Sequence, residues 1–207
     1  MTTPVALYSS LSTLLALGLA VVVLLQRRAA LALKKLACTE SLTGLANRRE
    51  FESTLRAEIS RTSRTGRPFV VMLIDVDRLK RINDTCGHRG GDRAILRVAN
   101  TLRHSCRVTD MAARIGGDEF AVILPETDVT MARQFLARVH ALLASHRRSG
   151  AVTVTAGIAR YPHDGATAEH LLEAADRALY AEKWRRPRLT TPSSVPRLVP
   201  GAQRQLA

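Results

Sequence analysis

Apolar positions recur with two different periods along the chain, and the first long run follows neither. Val5 to Leu25 is 21 residues of mostly Leu, Val and Ala, softened by Ser9, Ser10, Ser12 and Thr13. As a helix it is about 31 Å long, enough to cross a hydrocarbon core. Arg27 to about Leu36 is Ala/Leu-rich and basic, and continues that helix. Arg48 to about Thr62 then has helical spacing through Phe51, Leu55 and Ile59. Phe69 to Asp75 is a continuous apolar run after Gly66 and Pro68, which predicts a central strand. Two helical stretches follow. One carries Leu79 and Ile82, and the other runs from about Asp92 to His104 with Ile95, Leu96, Val98 and Leu102 inward. Met111 to Ile115 and Phe120 to Leu124 flank a Gly-Gly pair and predict a hairpin. Asp128 starts an amphipathic helix as its N-cap, with the helix reaching about His146. Val152 to Ile158 alternates as a strand, and Thr167 to about Lys183 is a last helix. Residues 187–207, with Pro192, Pro196 and Pro200 among small and basic residues, read as a disordered tail. Helices and strands in mixed order, with a hairpin, give an α/β (α+β) sheet domain of roughly 150 residues.

Composition changes this picture at its two ends. The 207 residues hold 31 Lys plus Arg against 18 Asp plus Glu, a net charge of +13, and 46% apolar residues exclude wholesale disorder. Aromatics are only 4%, which weakens any reading built on base stacking. The charge is unevenly placed. The segment up to Lys35 contributes +4, Leu36 to Glu182 has 21 basic and 18 acidic residues, and Lys183 onward adds +6. The body is therefore nearly balanced, so nucleic acid is not expected as a partner. Arg27, Arg28, Lys34 and Lys35 follow the apolar run, which places the C-terminal side in the cytoplasm. Ala30-Leu31-Ala32 resembles a signal-peptidase site, but such a peptide carries its positive charge before the apolar run, so an uncleaved anchor is the better reading. Cys38, Cys86 and Cys106 fit neither a disulfide framework nor a zinc site, and each is expected as a small buried residue. The histidines at 104, 140, 146, 163 and 170 lack metal-ligand spacing, and Trp184 is expected to pack the last helix.

Chemistry concentrates at two places. Gly116-Gly117-Asp118-Glu119 puts two acids at a hairpin tip, where paired glycines admit close approach of a ligand. Asp75-Val76-Asp77 closes the preceding strand. Acids at a strand end and a neighbouring hairpin tip can converge on a divalent metal that bridges nucleotide phosphates.

Five motifs then follow in order. They are Glu40-Ser-Leu-Thr-Gly-Leu-Ala-Asn-Arg-Arg49, Asp75-Val-Asp-Arg-Leu-Lys-Arg-Ile-Asn-Asp-Thr-Cys-Gly-His88, Gly91-Asp92, the Gly116 to Phe120 signature, and Leu171 to Tyr180. Together they resemble the GGDEF-domain diguanylate cyclases over about Thr39 to Lys183. Glu40 stands where that family has Asp, Leu79 where it has Phe, and Pro187 where it has a phosphate-contacting arginine. The resemblance implies a nucleotidyl-cyclase-like mixed sheet surrounded by helices, preceded here by one transmembrane helix. The parts would be an anchor at 1–26, a juxtamembrane helix at 27–38, a catalytic domain at 39–186 and the tail. It also implies that two GTP become cyclic di-GMP in a homodimer. Asp75, Asp118, Glu119 and the Val76 carbonyl would hold two Mg²⁺ or Mn²⁺ ions, with Glu119 also a candidate base for the 3′-hydroxyl. Asn83 and Asp92 would read guanine, with His88 bracing Asn83. Lys80, Lys183 and the backbone near Arg78 and Leu79 would grip the triphosphate, close to Gly116 and Gly117. Arg107 and Asp110, with Arg138 in support, match the family's product-inhibition site for cyclic di-GMP. A non-catalytic receptor for GTP or cyclic di-GMP is the alternative. The implied location is a bacterial cytoplasmic membrane, single-pass, with the domain facing the cytoplasm.

Overall fold

The structure is a computed structural model that describes residues 17–28, 38–145 and 152–185. The start of the apolar run, most of the helix expected to follow it and the basic tail lie outside the described residues. Residues 17–28 form a helix, α1, whose apolar side chains Leu17, Leu19 and Val21 to Leu25 are all exposed. Among the described residues no helix is long and apolar enough to cross a membrane.

A five-stranded mixed sheet organises the body. Its strands are β1 (Ala46–Asn47), β2 (Phe69–Val76), β3 (Met111–Arg114), β4 (Glu119–Pro125) and β5 (Val154–Tyr161), in the spatial order β1-β3-β4-β2-β5. β1 pairs parallel with β3, and the other pairs are antiparallel. β2 is an interior strand between β4 and β5, as its unbroken apolar run requires of a strand buried on both faces.

Helices cover both faces. α4 (His88–Ser105) and α5 (Val129–Ser145) pack one side, burying Ile95, Val98, Leu102, Phe135 and Val139 against Val70, Met72 and Val122. α2 (Arg48–Thr65) and α6 (Ala168–Arg185) cover the other, burying Phe51, Leu55, Leu171 and Leu179 against Val71, Leu73 and Ile123. The short α3 (Leu79–Cys86) rides on α4 and buries none of its own residues. Asp128 Oδ1 accepts from the Met131 N–H at 2.8 Å, so it caps α5 as its sequence position predicts.

Three sequence readings need correction. α4 starts at His88, not near Asp92, because Gly90 and Gly91 belong to its first turn. A methyl group at Gly91 would collide with the Asn83 amide, so that glycine is what lets α3 lie against α4. β5 runs from Val154 to Tyr161 rather than Val152 to Ile158, since it pairs with β2 along the whole of that strand. Cys86 is exposed at the end of α3 and Cys38 and Cys106 are half-buried, and none of the three forms a disulfide. Helix α3 lies outside the core, so its cysteine cannot be a core residue.

Candidate active site

Strand register assembles the site. β2 and β4 run antiparallel with Asp75 directly opposite Glu119, and the Val76 N–H donates to the Asp118 carbonyl at 3.0 Å. The strand-end acids and the hairpin-tip acids therefore meet, as their sequence positions suggested. α6 completes the site from the other side of β5. Gly157 on β5 faces the Ala175 carbonyl and the Leu179 N–H at a spacing no side chain fits. The helix thus lies directly on the strand, and one turn further on the Lys183 ammonium reaches Asp75 Oδ2 at 2.7 Å.

The electrostatics are those of acids crowded together. Burial raises the Asp75 carboxyl from its usual 3.8 to about 6. Lys183 opposes that rise, and the charges of Asp118 and Asp77 add to it. Glu119 is pushed upward by burial and by Asp118, against the pull of Arg48 and Lys183. Such displaced carboxylates are characteristic of sites that bind cations or move protons.

Two basic residues hold the hairpin. Arg114 donates from Nε to the Gly116 carbonyl at 3.1 Å and from Nη2 to the Gly117 carbonyl at 2.8 Å. It also pairs with Glu40 at 3.3 Å. Glu40 is half-buried. Burial pushes its carboxyl up, but the N–H groups of Leu42 and Thr43, the Thr43 hydroxyl and Arg114 outweigh that and bring it down to about 2. Arg48 donates to the Ile115 carbonyl at 2.9 Å and lies 3.9 Å from Glu119. The acid at position 40 thus helps fix Arg114, which in turn holds the hairpin carbonyls. Composition and spacing gave no sign of it, although the reach of Arg114, two residues before the glycines, was a usable signal.

Other expected residues fall nearby with differing partners. Asn83 lies over Gly91, beside Asp92 on α4. His88 is exposed, and among the described residues no hydrogen bond joins it to Asn83, so the expected bracing is absent. Lys80 is exposed on α3. Asp77 is held at the start of β5, accepting from the hydroxyls of Thr155 on the strand and Thr153 just before it at 2.6 Å each. A separate hollow brings Arg107, Asp110 and Arg138 together with Phe135 and Met131. There Asp110 Oδ2 accepts from the Arg107 N–H at 2.7 Å, Arg138 donates to the Ser105 carbonyl at 2.9 Å, and Asp110 Oδ1 is buried without a partner.

Residues 37–187 match the model of a family described as diguanylate cyclase, GGDEF domain. The chain belongs to the GGDEF family. Diguanylate cyclase DgcP of Pseudomonas aeruginosa is 39% identical over 152 residues, covering 71% of this chain and 22% of that protein. The response regulator PleD of Caulobacter vibrioides is 36% identical over 156 residues, covering 72% of this chain and 34% of that protein. This chain thus spans a fifth to a third of those relatives. The solved coiled coil and GGDEF domain of DgcB from Caulobacter crescentus, in complex with c-di-GMP, superposes with a TM-score of 0.75 at 32% identity. It covers 85% of this chain and 95% of that one. The Gly116 to Phe120 signature of the GGDEF family is therefore the hairpin tip described above, and its acids are those facing Asp75.

Proposed function

We propose that this chain is a membrane-anchored diguanylate cyclase that condenses two GTP into cyclic di-GMP, releasing two pyrophosphates. The observation that carries the reading is the Asp75–Glu119 register, which sets three carboxylates and the Lys183 ammonium at one end of the β2–β4 pair. Asn83 and Asp92 supply an amide and a carboxylate for the guanine edge. Lys183 and Lys80, with N–H groups at the start of α3, hold the triphosphate. Glu119 Oε accepts the 3′-hydroxyl proton as the new O–P bond forms and the bond to pyrophosphate breaks. Its raised affinity for a proton suits that task.

Asp75 and Asp118 fit divalent cations. They offer hard oxygen donors, they repel one another, and a cation, the Lys183 ammonium, is drawn to Asp75. No three His, Cys, Asp or Glu side chains gather tightly enough among the described residues to enclose an ion. Mg²⁺ or Mn²⁺ would be held here by Asp75 and Asp118 and would supply positive charge beside the phosphates. When bound, the metal neutralises phosphate charge and lowers the hydroxyl's pKa. One domain holds one GTP, so two domains must face each other, and the chain acts as a homodimer. Arg107, Asp110 and Arg138 form the site at which product inhibits. The apolar run before Arg27 anchors the protein in the cytoplasmic membrane, with the domain in the cytoplasm.

Incubating the full chain in detergent with GTP and Mg²⁺ yields cyclic di-GMP, detected by chromatography. GTP bound without product would favour a non-catalytic receptor instead. Arg107→Ala shifts half-inhibition by cyclic di-GMP to about tenfold higher concentration, since it removes a bidentate anion grip; unchanged inhibition removes the second site from the proposal. In fractionated cells the chain stays in the membrane pellet through a high-salt wash, and deletion of residues 1–26 releases it.

A further inference from the structure

The turn between β2 and α3 is held in an unusual way. Arg78, which precedes α3, lies in the left-handed region at φ 60°. That conformation is uncommon for any residue but glycine, and it persists only where neighbouring structure enforces it. The enforcing contacts come from the first residues of β5 and the residue just before it. Asp77 Oδ1 accepts from the Thr155 hydroxyl and Oδ2 from the Thr153 hydroxyl, both at 2.6 Å, while the Asp77 N–H donates to the Thr153 carbonyl at 2.9 Å. Thr153 and Thr155 are two apart on an extended chain, so their side chains leave the same face and meet one carboxylate. Thr155 is buried at 2% exposure, which makes its hydroxyl costly to leave unpaired. Beyond the turn, no side chain caps α3. Its first N–H groups have no partner within the helix until Ile82 donates to the Arg78 carbonyl at 3.1 Å.

We infer that Asp77 is a positioning residue for the nucleotide. By bridging Thr153 and Thr155 it fixes the left-handed turn at Arg78 and aims the first N–H groups of α3 at the triphosphate. This rests on the GTP site proposed above, but none of the three side chains belongs to the set that contacts nucleotide there. Asp77 is the acid nearest the metal-binding carboxylates by sequence, yet both of its oxygens accept from hydroxyls at the start of β5 and just before it.

The test uses the full chain with 3′-deoxy-GTP, which lacks the attacking hydroxyl, and with guanosine, which lacks phosphate. The double substitution Thr153→Ala with Thr155→Val is expected to weaken 3′-deoxy-GTP binding about tenfold by calorimetry, as two hydrogen bonds are lost. Guanosine affinity, followed by NMR titration, stays within twofold of the parent. Thr153→Ser with Thr155→Ser keeps both hydroxyls and restores 3′-deoxy-GTP binding. In turnover the Ala/Val variant raises KM for GTP and leaves kcat near the parent value. Equal weakening of both ligands, or no weakening of either, overturns the inference, as does failure of the serine pair to restore binding. Failure of the parent chain to bind 3′-deoxy-GTP counts against the GTP site itself, a separate outcome.

Discussion

The two ends of the β2–β4 pair carry acids under opposite conditions. At one end Asp75 faces Glu119 across the register, and both carboxyls hold protons more tightly than usual. At the other, Phe69 faces Pro125, and beyond it Glu126 is matched by two guanidinium groups, Arg61 at 3.2 Å and Arg67 at 2.9 Å. Arg61 also grips the buried Glu58 at 2.6 Å, and these hydrogen bonds draw the Glu126 carboxyl below its usual range. The same two strands thus end in a cluster that satisfies its charges and in one that leaves them in excess. The first holds the fold together. The second carries an excess of negative charge that Lys183 and Arg48 relieve only in part.

Mutations at the two ends should therefore separate activity from stability. The largest effect is on chemistry. Asp118→Asn is expected to lower cyclic di-GMP synthesis by about a thousandfold or more, because it removes a carboxylate proposed to hold the divalent cation. Its melting temperature should not fall, since the residue sits at a turn tip; a clear drop would break the contrast. Arg61→Ala strands the buried Glu58 and is expected to lower the melting temperature by about 5 °C. Its kcat should remain within twofold of the parent, and loss of activity at unchanged Tm would reverse the assignment of the two ends.

Asp75→Asn tests the sign of the electrostatics. The folded pKa of Asp75 lies above its usual value, rising from 3.8 to about 6. The group therefore favours the folded state most below pH 3.8, and that contribution is lost as pH rises through about 6. Removing its charge should raise the metal-free melting temperature by about 3 °C at pH 8, with the gain vanishing toward pH 4. A lower Tm at pH 8 would mean that the Lys183 pair outweighs burial. The smallest effect belongs to Arg67→Ala. Its side chain is 65% exposed, so the ion pair is screened and Tm should stay within about 1 °C by scanning calorimetry.

Much of this was legible in the pattern of residues. The unbroken apolar run of β2, the Gly-Gly hairpin and the Asp128 cap are local signals, and the structure follows them. The motif acids could be placed at strand ends because strand length and turn chemistry fix both. What stayed hidden depends on register and on distant chain. Nothing near Asp77 reveals that two threonines 76 and 78 residues further on will take its oxygens. Nor does local sequence show that Glu40 serves Arg114, or that Lys183 meets Asp75. The start of α4 was misplaced because glycines weigh against a helix locally, whereas here close packing with α3 repays them.

Gly157 has a consequence for how this protein tolerates change. With the backbone of α6 pressed against it, position 157 acts as a ruler for the gap between helix and sheet. Any side chain there thickens the gap, and the helix passes that thickness on to its last turn, where Lys183 sits. Variation at this buried and chemically silent position should therefore be read out as altered nucleotide affinity at a distance. With no room for a side chain, substitutions at 157 should lower folding stability and displace the active-site lysine together.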